Sequence, residues 1–272
     1  MGPKVHTKRV RRTAAVLALA LPIALGSAAS AWAGAAPPND DFNNATVITT
    51  QPFHDYIADM SAATWDPSTD SSNCFGYGDS VWYTVTPTTS TPIAFDTAGS
   101  KNDMWVVDVF TGSPGSLSNV GCSFTGGYIL NPVAGTQYWI LVSPQSGLSG
   151  GSLAMTVYPA VAPKATIHVK STGQVDRGGN ATVSGTVNCT GYVVSPGSVT
   201  GNVRQVVRRL YSVTANFTDT SGCGGTFTWT VLAQPAQGGF ATGYVTVNAA
   251  ASICNLAGCA TPSTVAVIKL RR

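Results

Sequence analysis

The sequence predicts an all-β protein built from two β-sandwich domains. Three observations carry that expectation. Charge is sparse, with 10% of the 272 residues charged against 29 glycines. Apolar residues recur in short runs with a period of two, the pattern of strands that bury one face. Glycine, proline, serine and asparagine punctuate those runs as turns.

Taken in order, the chain opens with a segment that reads as a signal peptide over residues 1–33. Lys4, Lys8, Arg9, Arg11 and Arg12 form a cationic start, residues 13–31 are apolar or small, and Ala31-Trp32-Ala33 supplies a small-x-small cleavage pattern. An uncleaved anchor is the competing reading. Pro22, Gly26 and Ser27 interrupt the run, which leaves less than the roughly 20 apolar residues a span requires. Arg11-Arg12 alone carries no twin-arginine assignment. No later stretch is apolar enough to span a membrane, so the expected product is secreted and extracellular.

Residues 34–158 are expected to form the first sandwich. Its strands are read at 80–86, 93–97, 104–110, 128–130, 137–142 and 153–158, with one helical turn around 41–47. Val81, Tyr83 and Val85 alternate with Trp82 and Thr84. One face therefore packs inward while Trp82 needs cover on the other. Residues 159–163, Pro-Ala-Val-Ala-Pro, read as a short stiff linker. Residues 164–272 are expected to form the second sandwich, with strands at 166–170, 181–189, 203–209, 211–217, 227–232, 243–247 and 264–270. That density of short strands has immunoglobulin-like character.

All six cysteines follow the expected cleavage point. An even count in an exported chain argues for disulfides. Zinc is the rival reading, but no C-x-x-C pair is present, and of the three histidines only His54 and His168 lie beyond residue 33. Joining neighbours gives Cys74–Cys122, Cys189–Cys223 and Cys254–Cys259, one of about 15 possible pairings.

The twelve acids are all aspartate. Residues 34–160 carry ten of them against Lys101 alone, a formal −9, while residues 164–272 carry nine bases against two aspartates, a formal +7. Exposed charges are screened beyond roughly 8–10 Å, so no fixed contact between the halves follows from this asymmetry. The basic residues Arg204, Arg208, Arg209, Lys269, Arg271 and Arg272 suit an anionic cell-wall polymer, the acidic half, or only a solvated face. They form no nucleic-acid motif.

The first half resembles the bacterial pre-peptidase C-terminal-like domain, a jelly-roll sandwich found beside secreted proteases. The residues that carry the resemblance are PPNDDFNNAT (37–46), SVWYTVTP (80–87), FDTAGS (95–100), VVDVFTGS (106–113) and GTQYWILV (135–142). It implies a non-catalytic module used in binding, solubility or secretion. Some members bind calcium near the opening motif, which makes Asn39, Asp40 and Asp79 candidate ligands here. The glutamates that precede the pair in those members are replaced by Ala35 and Pro37. Calcium wants six to eight oxygens, and capping of a turn by Asn and Asp is the simpler use of these side chains. The second half resembles an actinobacterial secreted domain of unknown function, through residues 165–191, the Cys223 to Trp229 step and Cys254-x4-Cys259.

Catalytic candidates are few. Gly147-Leu-Ser149-Gly-Gly151 spells G-x-S-x-G, but a nucleophile elbow needs a helix next, and residues 152–158 alternate like a strand. Asp96, Asp103 and Asp108 suit a solvated surface better than a glycosidase pair. Among the aromatics, Trp82 and Trp139 read as core. Trp65 and Tyr77 lie in loop-like sequence and are the candidate ligand-binding residues. The expectation is a secreted, non-enzymatic binding or adhesion protein whose partner is a cell-wall polymer, a glycan or a secreted protein. The alternatives are an accessory or inhibitor-like partner of a secreted hydrolase and, last, a hydrolase using Ser149.

Overall fold

The structure is a computed structural model that describes residues 34–101, 104–145, 151–207 and 209–272. Among the described residues, nine strands build the first half: β1 (Thr46–Ile48), β2 (Phe53–Ile57), β3 (Val81–Val85), β4 (Ile93–Asp96), β5 (Trp105–Ser113), β6 (Ser116–Ser123), β7 (Gly127–Leu130), β8 (Tyr138–Pro144) and β9 (Leu153–Pro159). They form a five-stranded sheet in the order β1-β3-β8-β5-β6 and a four-stranded sheet in the order β2-β9-β4-β7. Alternation sends Val81, Tyr83, Val107, Val109, Ile140 and Val142 from the first sheet to a common core with Phe95, Leu153, Met155 and Val157 of the second.

β3 is buried at every position, because its outer face is covered as well. There Phe42, Trp82, Phe110 and Leu141 form a smaller cluster, with Trp65 and Trp139 half-buried against it. Phe42 sits on a 3-10 turn, Phe42–Asn44, with its ring 4.9 Å from Trp82 in an edge-to-face arrangement. The expected turn at 41–47 is thus real but shorter. Val47 belongs to β1 and is exposed.

The second half holds β10 (Lys164–Val169), β11 (Thr172–Val175), β12 (Ala181–Thr190), β13 (Gly197–Val207), β14 (Tyr211–Ser221), β15 (Gly225–Ala233), β16 (Gly243–Asn255), β17 (Gly258–Ala260) and β18 (Ser263–Arg271). β12 pairs with β10 and β15 on either side, making one layer. The other layer runs β11-β18-β16-β13-β14, and β11 also touches β12, so it stitches the layers at one edge. The split first strand and the three-against-five arrangement are immunoglobulin-like, as the strand count predicts. Between the layers Trp229 stacks on Phe217 at 5.7 Å, amid Val183, Val203, Val247 and Ile268.

The three disulfides join Cys74 to Cys122, Cys189 to Cys223 and Cys254 to Cys259, the pairing of neighbours. Among the described residues no helix is long and apolar enough to cross a membrane. The expected signal segment lies outside the described residues.

The two sandwiches meet through rings and amides. The Tyr192 ring stacks on Tyr158 at 4.7 Å, and its hydroxyl lies 2.7 Å from Nε2 of His54 on β2. The Tyr158 hydroxyl donates to Asp96 at 3.0 Å, and burial together with that carboxylate pushes its pKa up. From the β16–β17 hairpin, Asn255 Nδ2 donates to the carbonyls of Val161 and Tyr192 at 2.8 and 2.9 Å. Beside it, the side chain of Leu256 fills the space over Gly127 that a Cβ would need. The contact that charge alone did not imply is therefore made by aromatic stacking.

Candidate functional site

The outer face of the five-stranded sheet is roofed by the long stretch between β2 and β3, residues 58–80. An irregular stretch of that length holds a shape only when its polar groups find fixed partners. Two buried carboxylates supply them. Asp70 accepts from the Trp82 indole at 2.8 Å, from the Ser80 hydroxyl at 2.7 Å and from the main-chain N–H of Asp66 at 2.9 Å. Asp108, on β5 and fully buried, accepts from the Ser72 hydroxyl at 2.6 Å and from the Asn73 N–H at 3.0 Å. Loss of solvent raises the Asp108 pKa, and the two hydrogen bonds oppose that rise.

The far end of the roof is tied by the Cys74–Cys122 disulfide to β6. Tyr77 N–H donates to the Pro144 carbonyl at 3.1 Å, and Gly76 bridges Gln145. Only glycine fits at 76, because a Cβ there would collide with the Ser143 hydroxyl.

These clamps hold an aromatic display. Tyr77 is 62% exposed and its ring lies 5.3 Å from that of Trp65, inclined at 35°. Trp65 in turn rests half-buried on the Phe42–Trp82 cluster. The two candidate binding residues, twelve positions apart, thus form one tilted ring pair anchored from below.

Beside them Phe75 is 72% exposed at a φ of 66°. A bulky side chain in the left-handed region costs on the order of 1–2 kcal/mol, and an exposed ring adds the penalty of unburied apolar surface. Phe75 was not singled out from the sequence. The signal was Cys74-Phe-Gly-Tyr-Gly78, where glycines free the backbone around alternate aromatics.

The proposed calcium ligands have protein partners. Asn39 is buried: its Nδ2 donates to the Trp82 carbonyl at 3.0 Å and its main-chain carbonyl accepts from the Trp82 N–H at 2.8 Å, while its side-chain Oδ1 has no hydrogen-bond partner among the described residues. Asp40 holds Thr64, accepting from its N–H at 2.6 Å and its hydroxyl at 3.0 Å. Asp79 is half-buried one residue before the Ser80 that Asp70 grips. No group of three or more His, Cys or Asp side chains suited to a metal is found among the described residues.

Of the catalytic candidates, Ser149 and Asp103 lie outside the described residues, as does Arg208 of the basic set. Asp96 and Asp108 are both buried and hydrogen-bonded, on different sheets, rather than on the solvated surface suggested by the sequence. The His54 ring is engaged by Tyr192, and His168 lies exposed on β10. Trp82 is core as expected, whereas Trp139 is half-buried and donates to the Gly112 carbonyl at 3.1 Å.

No protein-family model matches the chain. No curated protein matches it either. Among solved structures, β-glucuronidase 3 of Bacteroides uniformis is 10% identical with a TM-score of 0.26, over 71% of this chain and 27% of that one. The β-glucuronidase of Parabacteroides merdae is 12% identical with a TM-score of 0.25, over 71% and 28%. The β-glucuronidase of Bifidobacterium dentium is 11% identical with a TM-score of 0.20, over 71% and 39%. The chain spans about a quarter of the length of the first of these, and likeness at this level carries no assignment of activity.

Proposed function

We propose that this chain is an exported, non-catalytic binding protein that acts at or outside the bacterial cell surface. The observation that carries the reading is the Trp65–Tyr77 ring pair, exposed on one side and anchored on the other. Paired rings at a fixed tilt offer apolar area at little entropic cost, which suits stacking on a sugar ring of a glycan or cell-wall polymer. Three disulfides support an oxidising compartment, and with it the signal segment. The resemblance of residues 37–142 to pre-peptidase C-terminal-like modules supports a role without catalysis.

The reading is tested by retention on isolated cell walls and immobilised glycans at moderate salt. Trp65→Ala and Tyr77→Ala are each expected to lower retention by about tenfold, as loss of a ring worth 1–2 kcal/mol implies. Wild-type protein that passes through every polymer would overturn it.

Phe75 favours a second reading, in which the chain is the accessory or inhibitor-like partner of a secreted hydrolase. A ring projected from a disulfide-clamped loop is the form of an anchor that enters a pocket. Co-purification with an enzyme from culture supernatant, lost in Phe75→Asn, would select this reading over the first.

A further inference from the structure

The outer face of the β14-β13-β16-β18 sheet is laid out by its register. One row runs Thr214, Arg204, Thr246, Val267, and the next runs Asn216, Asn202, Asn248, Val265. Beyond the first row Tyr244 stands opposite Lys269, whose Nζ lies 5.9 Å from the centre of the ring. The register assigns this face hydroxyls from Thr200, Thr214, Thr218 and Thr246, amides from three asparagines, and cations from Arg204, Lys269 and, by alternation, Arg271. Tyr244 is 68% exposed and borders a shallow hollow of about 290 Å³ shared with Arg204, Val206 and Val267.

This face carries no carboxylate. The only acid on the four strands is Asp219, which has the inward parity on β14 and accepts from the Thr230 N–H of β15 at 3.2 Å. The cations therefore stand without a neutralising partner on their own sheet, in a half whose formal charge is +7. A flat sheet with cations, one exposed ring and rows of amides and hydroxyls is matched by a ligand that repeats three groups. Those are negative charges, ring faces and hydroxyls. Two of the amides pair with each other, Asn248 donating to Asn202 at 2.9 Å, and the exposed Val206, Val265 and Val267 share the face.

We propose that this face binds an anionic polysaccharide, with Arg204, Lys269 and Arg271 meeting its charges and Tyr244 stacking on a sugar ring. The assignment rests on the reading that the protein works by binding outside the cell. It uses a surface separate in sequence from Trp65 and Tyr77. The anionic groups of such a ligand are carboxylates or phosphates, and the test separates the two.

The probes are polygalacturonate, which carries carboxylates on rings, and inorganic polyphosphate, which carries charge without rings, with neutral dextran as control. In affinity electrophoresis at low salt the protein should bind polygalacturonate, ignore dextran and release the polymer as salt rises. An Arg204→Glu, Lys269→Glu double variant should weaken polygalacturonate binding by about tenfold or more, since two attractions become repulsions. Tyr244→Ala should weaken the polygalacturonate arm and leave any polyphosphate arm unchanged.

Three results overturn the proposal: no binding of polygalacturonate at low salt, binding insensitive to the double variant, or polyphosphate bound in preference to polygalacturonate with no effect of Tyr244→Ala. None of them bears on retention through Trp65 and Tyr77, so the two surfaces succeed or fail separately.

Discussion

Asp108 shows how a single buried acid shapes the display at a distance. Its two hydrogen bonds hold residues 72 and 73, one step before the disulfide that fixes Phe75. Because burial raises its pKa, the folded state holds the proton more tightly than the unfolded chain does. The stability tied to that proton is present at low pH and is lost as pH rises through the raised value. In Asp108→Asn the amide oxygen accepts from the Asn73 N–H and its NH2 faces the Ser72 hydroxyl, with nothing left to ionise. The thermal midpoint of the variant should therefore climb relative to wild type as pH rises above the ordinary aspartate range, about 4. Parallel melting profiles across that range would refute this account. At this scale much was legible: Trp65 and Tyr77 stood out as aromatics in loop-like sequence, and the disulfides paired as neighbours. The roles of Asp70 and Asp108 were hidden, because their partners lie on strands that meet them only in the folded sheet.

Among the elements, the opening segment and the 58–80 stretch act together as a lid on the outer face of β3. Phe42 is the pin of that lid, packed on Trp82 and on Trp139 at 4.9 and 4.3 Å. Phe42→Ala should cost about 3 kcal/mol, read as a lower urea midpoint with an unchanged slope. A loss under about 1 kcal/mol would mean that the lid closes without it. Strict alternation made β12 readable from period alone, and β16 only as far as residue 247. β1 was not, since three residues pair in parallel with β3 and carry no pattern of their own. β6 was also missed, because an edge strand rich in serine buries little on either face. The first half of β13 begins with glycine, serine and threonine, which read as a loop until β14 and β16 flank it.

For the molecule as a whole, the contact between sandwiches rests on Tyr192, Tyr158 and the hairpin tip at Asn255 and Leu256. These groups should make the halves unfold in concert. A Tyr192→Ala, Asn255→Ala double variant is expected to split a single calorimetric transition into two. One unchanged transition would show that the coupling lies elsewhere. This arrangement could not be read from the chain, whose opposite charges suggested only a screened attraction. A stacked pair of tyrosines from residues 158 and 192 leaves no periodic trace.

The hairpin tip has a further bearing on how such a protein would hold a polymer. Two domains on a loose tether surrender orientational freedom when both engage one ligand. Here that freedom is already gone on folding, because Asn255 grips the linker itself at the Val161 carbonyl. A long chain touching one sandwich therefore meets the other at a high effective concentration if its length matches the fixed span, and gains nothing if it does not. The protein would then select its ligands by reach as well as by chemistry, as a rigid gauge does.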